Sequence, residues 1–417
     1  MNFDSANQHC LDRIVQLSEH QTVTAAQDIF DDRGMKLWAK GEPVSRELQA
    51  KLLRRKLARP LESTLIVEHA LSFAEIMDDC LAHVATRPLL QRLAGMRAAR
   101  ELLSEAKVMQ LPPPLRLLLT TVKHGDGATY AHTLEVVAIC AGIACSLKGQ
   151  VNDGHTLLMA AVLHDLGEIY VNPEYLTSKR RLAPEEWKHV VSHPRIGQVL
   201  IQELTTLPAG VAACVGQHHE RHDGSGYPYQ QTRDEQHRLS GWIAVADAAA
   251  ALLASTAQGA GDRVALALRI VPGEFDRDAA GVVIRALRHA DEGHADEGGS
   301  DSLRRARDAL VKIGNVRRVL NDTAATGSLP FVRQTCLAAD AHLQAIATAM
   351  RATGVLDAEL LGEGANDPEL LAEMHLVVGE VEWRMRNLAR NLYLRAESQP
   401  GPEALAALDP IIGMIDG

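Results

Sequence analysis

The sequence predicts a mostly α-helical chain, with a small β-containing module at its N-terminal end and a helical bundle at its C-terminal end. Three observations predict it. Hydrophobic residues make up 46% of the chain but aromatics only 4%, and alanine and leucine dominate the apolar set; that mixture suits helices packed on helices better than a β-sandwich. Strand-like alternation is confined to residues 22–69. Towards the other end, Asp367 as N-cap and Pro368 in the first turn open a helical run. In it Leu370, Leu371, Met374, Val377, Val378, Val381, Leu388 and Leu392 form a single apolar stripe. At 417 residues the chain has room for two or three domains with sizeable cores.

Residues 1–70 read as a small α+β module. Thr22-Val23-Thr24 leads into Ile29-Phe30, and Asp31-Asp32-Arg33-Gly34 reads as a turn. Met35, Leu37 and Ala39 then alternate with Lys36 and Lys40 until Gly41, so a hairpin is expected. Leu48, Leu52 and Leu57, after Pro43, mark a short amphipathic helix, and Leu65-Ile66-Val67 a returning strand. Residues 71–119 read as a helical connector that ends at Pro112-Pro113-Pro114. Ligand-type residues are densest in 120–290. Residues 291–300, acidic and glycine-rich without periodicity, read as a linker, and 301–417 as a helical domain.

Charge and cysteine usage exclude several classes. A formal net charge of −10 argues against a general nucleic-acid or anionic-membrane surface. An anionic small substrate would then need local positive charge, such as bound metal. The basic cluster Lys51, Arg54, Arg55, Lys56 and Arg59 reads as a solvated helix face. The six cysteines show no C-x-x-C pair and no disulfide-framework spacing, and most sit in apolar helical runs. Met1 to Glu19 lacks the pattern of a signal peptide, and the longest apolar run, Val136 to Cys145, is too short to span a bilayer. A reduced, cytoplasmic protein without nucleic-acid or membrane partners is expected.

Five places carry ligand-type residues at the ends or on the faces of apolar helices. His132 opens a run to Ala144 that is apolar nearly all round. His164 and Asp165 close Leu157 to Leu163, with Gly167 ending that helix. His193 follows Trp187, Val190 and Val191 on a helix started by Pro184-Glu185-Glu186. His218 and His219 end the apolar segment Val211 to Val215, and Asp247 interrupts the apolar run Trp242 to Ala246. One histidine on an apolar face is usually a core residue bonded to a carbonyl. A carboxylate inside an apolar helix is costly unless it faces a cation, and five histidines and two aspartates so placed point to one cavity. Imidazole and carboxylate without thiolate suit Fe, Mn, Ni or Zn in a site other than a structural zinc site. Seven donors exceed the needs of one open metal, so two divalent ions sharing an aspartate are the natural count.

These residues resemble the HD superfamily of metal-dependent phosphohydrolases, and within it the HD-GYP branch. The motifs that carry the resemblance are Tyr130-Ala131-His132-Thr133, His164-Asp165-Leu166-Gly167, and Leu182 through His193-Pro194 with Gly197. They continue with His218-His219-Glu220-Arg221-His222-Asp223-Gly224-Ser225-Gly226-Tyr227-Pro228, Val245-Ala246-Asp247 and Gly273-Glu274-Phe275-Asp276. The resemblance covers roughly 120–290. It implies an all-helical domain of the HD type holding a binuclear, sometimes trinuclear, iron or manganese centre, and hydrolysis of cyclic di-GMP to linear pGpG or GMP. Asp165 would bridge the metals, with His132, His164 and Asp247 on one and His193, His218 and His219 on the other. A metal-bridging hydroxide would attack phosphorus, with Arg221 as a phosphate contact or a support behind the ligands. Asp223, Gly224, Gly226, Tyr227 and Pro228 would form a substrate or partner loop, the Gly-Tyr-Pro element being thought to touch diguanylate cyclase domains in this family.

The chain departs from the family pattern at three places. Glu168 stands where the family usually has lysine; four residues after His164, it would face the site and add a ligand or repel substrate. Ala128 stands where some members place the acidic residue associated with a third metal. After Asp247 the family typically shows another Asp and an Arg-rich R-P-Y stretch that helps grip the dinucleotide; this chain has Ala250, then Ser255-Thr256-Ala257-Gln258-Gly259, with only Arg263 near. Beside the phosphodiesterase reading stand a metal-loaded module that binds cyclic di-GMP or a partner protein without turnover, and a phosphohydrolase acting on another nucleotide.

Overall fold

A computed structural model describes residues 6–125, 127–147, 151–177, 180, 182–254, 259–287, 299–327, 329–352 and 368–416. The chain divides into two compact units, residues 1–220 with 235–251 and residues 221–234 with 252–417.

The first unit begins with α1 (Gln8–Ser18), capped where the Asn7 side chain accepts the Cys10 amide. β1 (Val23–Ala25) pairs antiparallel with β4 (Leu65–Val67), Val23 opposite Val67. β2 (Ile29–Phe30) pairs antiparallel with β3 (Lys36–Trp38). The expected hairpin is therefore present. Its turn is held by Asp31 Oδ1, which accepts the amides of Arg33 and Met35, and Gly34 supplies the φ of 83° that a side chain would resist. α2 (Arg46–Leu52) starts at a Ser45 cap and stops short of Leu57. Of the basic cluster only Lys51 lies on this helix, paired to Glu47; Arg54, Arg55, Lys56 and Arg59 follow it in exposed non-helical chain, so the expected helix face is not formed, and Arg55 pairs with Asp31.

Three helices follow, α3 (Phe73–Thr86), α4 (Pro88–Ala94) and α5 (Arg97–Glu105). The proline run does not end a helix running to 112. A proline lacks only an amide that a first helical turn leaves unpaired, and Pro113 accordingly opens α6 (Pro113–Gly125). α7 (Gly127–Ser146) is the axis of the unit, buried from Val136 to Ile143 and packed on α3, α4, α5, α6 and α8 (Val151–Leu163). At 20 residues α7 is long and apolar enough to cross a bilayer, but 72% of its most apolar window is buried inside the protein. The unit is completed by α9 (Pro173–Leu176), α10 (Pro184–Val191), α11 (His193–Leu204), α12 (Ala209–Gln217) and most of α13 (Arg238–Leu253).

Residues 1–70 are not set apart from the ligand-bearing helices. Cys10, Leu11, Ile14 and Leu17 bury one face of α1, which packs on α6 and on the 3-10 turn Leu166–Tyr170. Tyr170 fastens the join: its hydroxyl donates to the buried Glu62 carboxylate and its carbonyl accepts from Asn7 Nδ2.

In the second unit α14 (Ala260–Ala267) and α15 (Arg277–Leu287) accompany four long helices, α16 (Gly299–Thr326), α17 (Pro330–Ala352), α18 (Pro368–Glu397) and α19 (Glu403–Asp416). Their shared core joins residues at three- and four-residue spacing, such as Ile313, Val316 and Leu320 with Val377, Val381 and Met385. Arg384 lies buried in this unit, bonded to Glu274 at 2.8 Å and to Glu380 at 2.9 Å. The anticipated cap Asp367 and residues 291–298 of the anticipated linker lie outside the described residues, while Gly299 and Ser300 begin α16.

Candidate metal centre

Five helical elements of the first unit deliver the seven donors, and two sit differently from the sequence expectation. His132 lies more than a turn inside α7 rather than opening it. His193 does not continue the helix begun at Pro184: that helix ends at Val191, and His193 opens α11 after Ser192. His164 and Asp165 follow the end of α8 at Leu163, and Gly167 sits within the 3-10 turn, not at a helix end. His218 and His219 follow α12, and Asp247 lies within α13.

Three of the histidines are oriented by the same device. Nδ1 of His164 bonds to Ala161 O at 2.8 Å, Nδ1 of His193 to Val190 O at 2.7 Å and Nδ1 of His218 to Val215 O at 2.7 Å. In each case the carbonyl belongs to the residue three positions earlier. A carbonyl can only accept, so Nδ1 carries a proton and Nε2 is the nitrogen turned towards the cluster. The three Nε2 atoms converge on Asp165. Oδ2 of Asp165 lies 2.9 Å from His164 Nε2 and 3.7 Å from His132 Nε2, whereas Oδ1 lies 3.3 Å from His193 Nε2 and 3.4 Å from His218 Nε2. Asp247 reaches across the cluster, with Oδ1 3.1 Å from His132 Nε2 and Oδ2 3.3 Å from His219 Nδ1.

The donors therefore fall into two groups that share Asp165: His132 and His164 on one side, His193, His218 and His219 on the other, with the ligand atoms of each group within 4.8 Å of one another. Two details fit divalent cations in these positions. Despite the short distance to Asp165, His164 Nε2 is fully buried with no aligned hydrogen-bond partner. His193 Nε2 and His218 Nε2 face each other at 3.2 Å, close for two lone pairs unless something positive lies between or beside them.

The electrostatics follow from packing acids and imidazoles together out of water. Burial works against ionising Asp165, but the surrounding histidines overcome it and hold its carboxyl well below the usual range. Burial likewise opposes a charged His164, and the Asp165 carboxylate overrides it, lifting His164 to about 9. His218 is pushed down, chiefly by burial. Glu168 is raised to about 7, first by burial and then by the Asp165 charge.

His132, Asp165, Glu168, His219 and Asp247 line one side of a cavity of about 1010 Å³. Sequence reasoning missed its other side. His9, Asp12, Arg13 and Gln16 of α1 line it, as do Arg46 and Gln49 at the start of α2. The signal was available in the i, i+3, i+4, i+7 spacing of those four residues, opposite the buried face of α1. Ala128, in place of an acidic residue, lines the cavity as well.

The remaining expected site residues belong to the second unit. The Arg221 guanidinium lies 4.7 Å from the centre of the Phe275 ring. Asp223 Oδ2 faces His342 Nδ1 at 3.2 Å, and its Oδ1 accepts from Ser225 N and Oγ. Gly224 takes a φ of 77°, Gly226 is buried, and Tyr227 precedes Pro228 through a cis peptide bond. Arg263 lies 3.6 Å from Glu380, and residues 255–258 are outside the described residues.

Residues 114–275 match the family model described as HD domain. Among curated proteins, the chain is 28% identical over 193 residues to a cyclic di-GMP phosphodiesterase of Pseudomonas aeruginosa, covering 45% of this chain and 47% of the relative. It is 33% identical over 143 residues to the cyclic di-GMP phosphodiesterase response regulator RpfG of Xanthomonas campestris pv. campestris, covering 34% and 38%. It is 31% identical over 119 residues to a 3'3'-cGAMP-specific phosphodiesterase of Vibrio cholerae, covering 28% and 26%. The matches thus span less than half the length of each of these relatives.

Proposed function

We propose, for a chain whose residues 114–275 belong to the HD domain family, that it hydrolyses the phosphodiester bonds of a cyclic dinucleotide, cyclic di-GMP first, to linear pGpG or GMP in second-messenger signalling. The observation that carries this reading is Asp165, whose two carboxylate oxygens each face a separate set of imidazole nitrogens at 2.9 to 3.7 Å. His132, His164 and Asp247 would hold one divalent ion and His193, His218 and His219 the other, with Asp165 shared. Imidazole and carboxylate donors without thiolate suit iron, manganese, nickel or zinc, and the resemblance to the HD-GYP branch puts iron or manganese first. Bound there, the ions would supply Lewis acidity towards the phosphoryl oxygens and an activated water.

The chain's own residues set the rest. The carbonyls of Ala161, Val190 and Val215 hold three imidazoles with Nε2 turned into the cluster, the nitrogen that would bind an ion in place of a proton. Asp247 orients His132 and His219 from opposite ends of one carboxylate. The names of the relatives support the substrate class, cyclic di-GMP for two and 3'3'-cGAMP for the third.

One observation favours a second reading, a metal-loaded module that binds the dinucleotide or a partner protein without turnover. The Glu168 carboxyl lines the cavity beside Asp165, where a phosphate would approach. Contact with diguanylate cyclase domains through Tyr227 and Pro228 belongs to the same proposal. Purified protein loaded with Mn or Fe, given cyclic di-GMP and followed for linear product, separates the two readings. Metal-dependent product that chelation abolishes supports hydrolysis; tight binding with no product supports the module.

A further inference from the structure

We propose that α1 is the recognition wall of the cavity and that Arg13, with Arg46 of the same lining, holds the second phosphate of a cyclic dinucleotide whose first phosphate lies at the histidine cluster. This rests on the phosphodiester reading for the substrate class but not on turnover. The cavity, about 1010 Å³, lies at the upper end of small-molecule sites, roughly 300–1,000 Å³, so a single phosphoryl group at the cluster would leave most of it unfilled. A cyclic dinucleotide carries two phosphates on opposite sides of its ring and needs a cation at each end.

The cluster side supplies carboxylates from Asp165, Glu168 and Asp247, and its positive charge would come from bound ions. The α1 and α2 residues of the same lining supply side-chain cations directly. Arg13 is half-buried on the polar face of α1, between His9 and Gln16. On that wall Asp12 accepts from Gln49, and Arg46 is itself paired with Glu19 at 3.1 Å, so Arg46 contributes less than Arg13. One turn after Asp247, Ala251 lines the cavity with only a methyl group, so that stretch of α13 brings no cation of its own.

The wall is fixed to the floor of the site. Tyr170 ends the turn that begins just after Asp165, and it binds Glu62 through its hydroxyl and Asn7 through its carbonyl. Arg13, six residues from Asn7 on the same helix, is thereby held at a set distance from the cluster, as a two-point clamp requires.

The test is equilibrium binding of cyclic di-GMP, and separately of 3'3'-cGAMP, to the Mn-loaded full chain by calorimetry, with bis(p-nitrophenyl) phosphate hydrolysis measured alongside. That small diester carries a single phosphate and so cannot engage both points of the clamp. Arg13→Gln should weaken dinucleotide binding about tenfold, as expected for one lost charge-assisted hydrogen bond, Arg46→Gln less, and Arg13→Lys should restore most of the affinity. Metal content and hydrolysis of the small diester should not change. Equal affinity in wild type and Arg13→Gln overturns the inference, as does a loss of small-diester hydrolysis or metal in proportion to the loss of binding. Wild type that hydrolyses the small diester but binds no cyclic dinucleotide also overturns it, leaving hydrolysis standing. Arg13-dependent binding without hydrolysis of either substrate upholds it and removes the hydrolytic reading instead.

Discussion

Gly167 packs against the backbone of His193 so closely that a methyl group on its Cα would lie 2.0 Å from the His193 carbonyl oxygen and 2.9 Å from the Gly197 amide nitrogen. The turn that follows Asp165 and the start of α11 are thus in backbone contact, and the position of one ligand-bearing segment sets that of the next. Gly167→Ala cannot be absorbed by a rotamer change, because the obstacle is main chain. Overpacking of this kind costs about 1–3 kcal/mol, and here it would also separate Asp165 from His193. Thermal denaturation should show a fall of several degrees, and metal content should drop with it. A variant with unchanged melting and full metal content would mean that the two segments move apart freely.

Glu168 lines the cavity but is in neither donor group. As a carboxylate it would oppose an approaching phosphate and add nothing to the donor set. Glu168→Gln is isosteric and should lower KM for the cyclic dinucleotide by about three- to tenfold, with metal content unchanged, from removal of one like charge at close range. Loss of metal in this variant would instead make Glu168 a ligand.

Glu62 is 4% exposed, and burial raises its carboxyl above the ordinary range although the Tyr170 hydroxyl pulls the other way. A carboxyl that titrates later folded than unfolded makes the native state hold the extra proton. Its contribution is full below the unfolded value, about pH 4.3, and is lost as pH rises through the folded pKa. Glu62→Gln keeps a bonding partner for Tyr170 without the ionisation. Denaturant titrations from acid to neutral pH should show stability falling less steeply in the variant than in wild type; parallel curves would show that Glu62 titrates as it does unfolded.

Arg384 neutralises two carboxylates inside the second unit, and both it and Glu274 are 3% exposed. Removing the cation strands buried acids, which typically costs about 3–5 kcal/mol. Arg384→Met should lower the melting temperature well beyond what surface arginines do, whereas Arg384→Met with Glu274→Gln and Glu380→Gln should recover much of the loss. A neutral single variant would show that water reaches the pair.

The helical class and the hairpin were legible because each rests on local pattern, and the seven imidazole and carboxylate side chains that the fold brings together stood out for the same reason. Asp247 shows as an acid in an apolar helix, and Gly34 as the end of a turn that leads into alternating residues. Two helix starts fall elsewhere than expected: α7 begins five residues before His132, ahead of the apolar run that marks it, and Ser192 interrupts a run apolar on both sides. The cavity's outer wall was not legible. His9, Asp12, Arg13 and Gln16 share a helix face by spacing, but the direction of that face depends on the Glu62–Tyr170 contact, which spans 108 positions. The division of the chain was hidden for the same reason. Residues 221–234 continue directly from His218 and His219, yet they pack with the C-terminal helices through Asp223 with His342 and Ser225 with Asn391.

The account stands on Asp165 joining two ion sites, and the most direct measurement is elemental analysis of protein purified without air, wild type beside Asp165→Ala. Two divalent ions per chain in wild type, and loss of metal in Asp165→Ala with its melting curve still cooperative, are the predicted results. Two ions retained by Asp165→Ala, or one or none in wild type after loading with excess Mn or Fe, would contradict it.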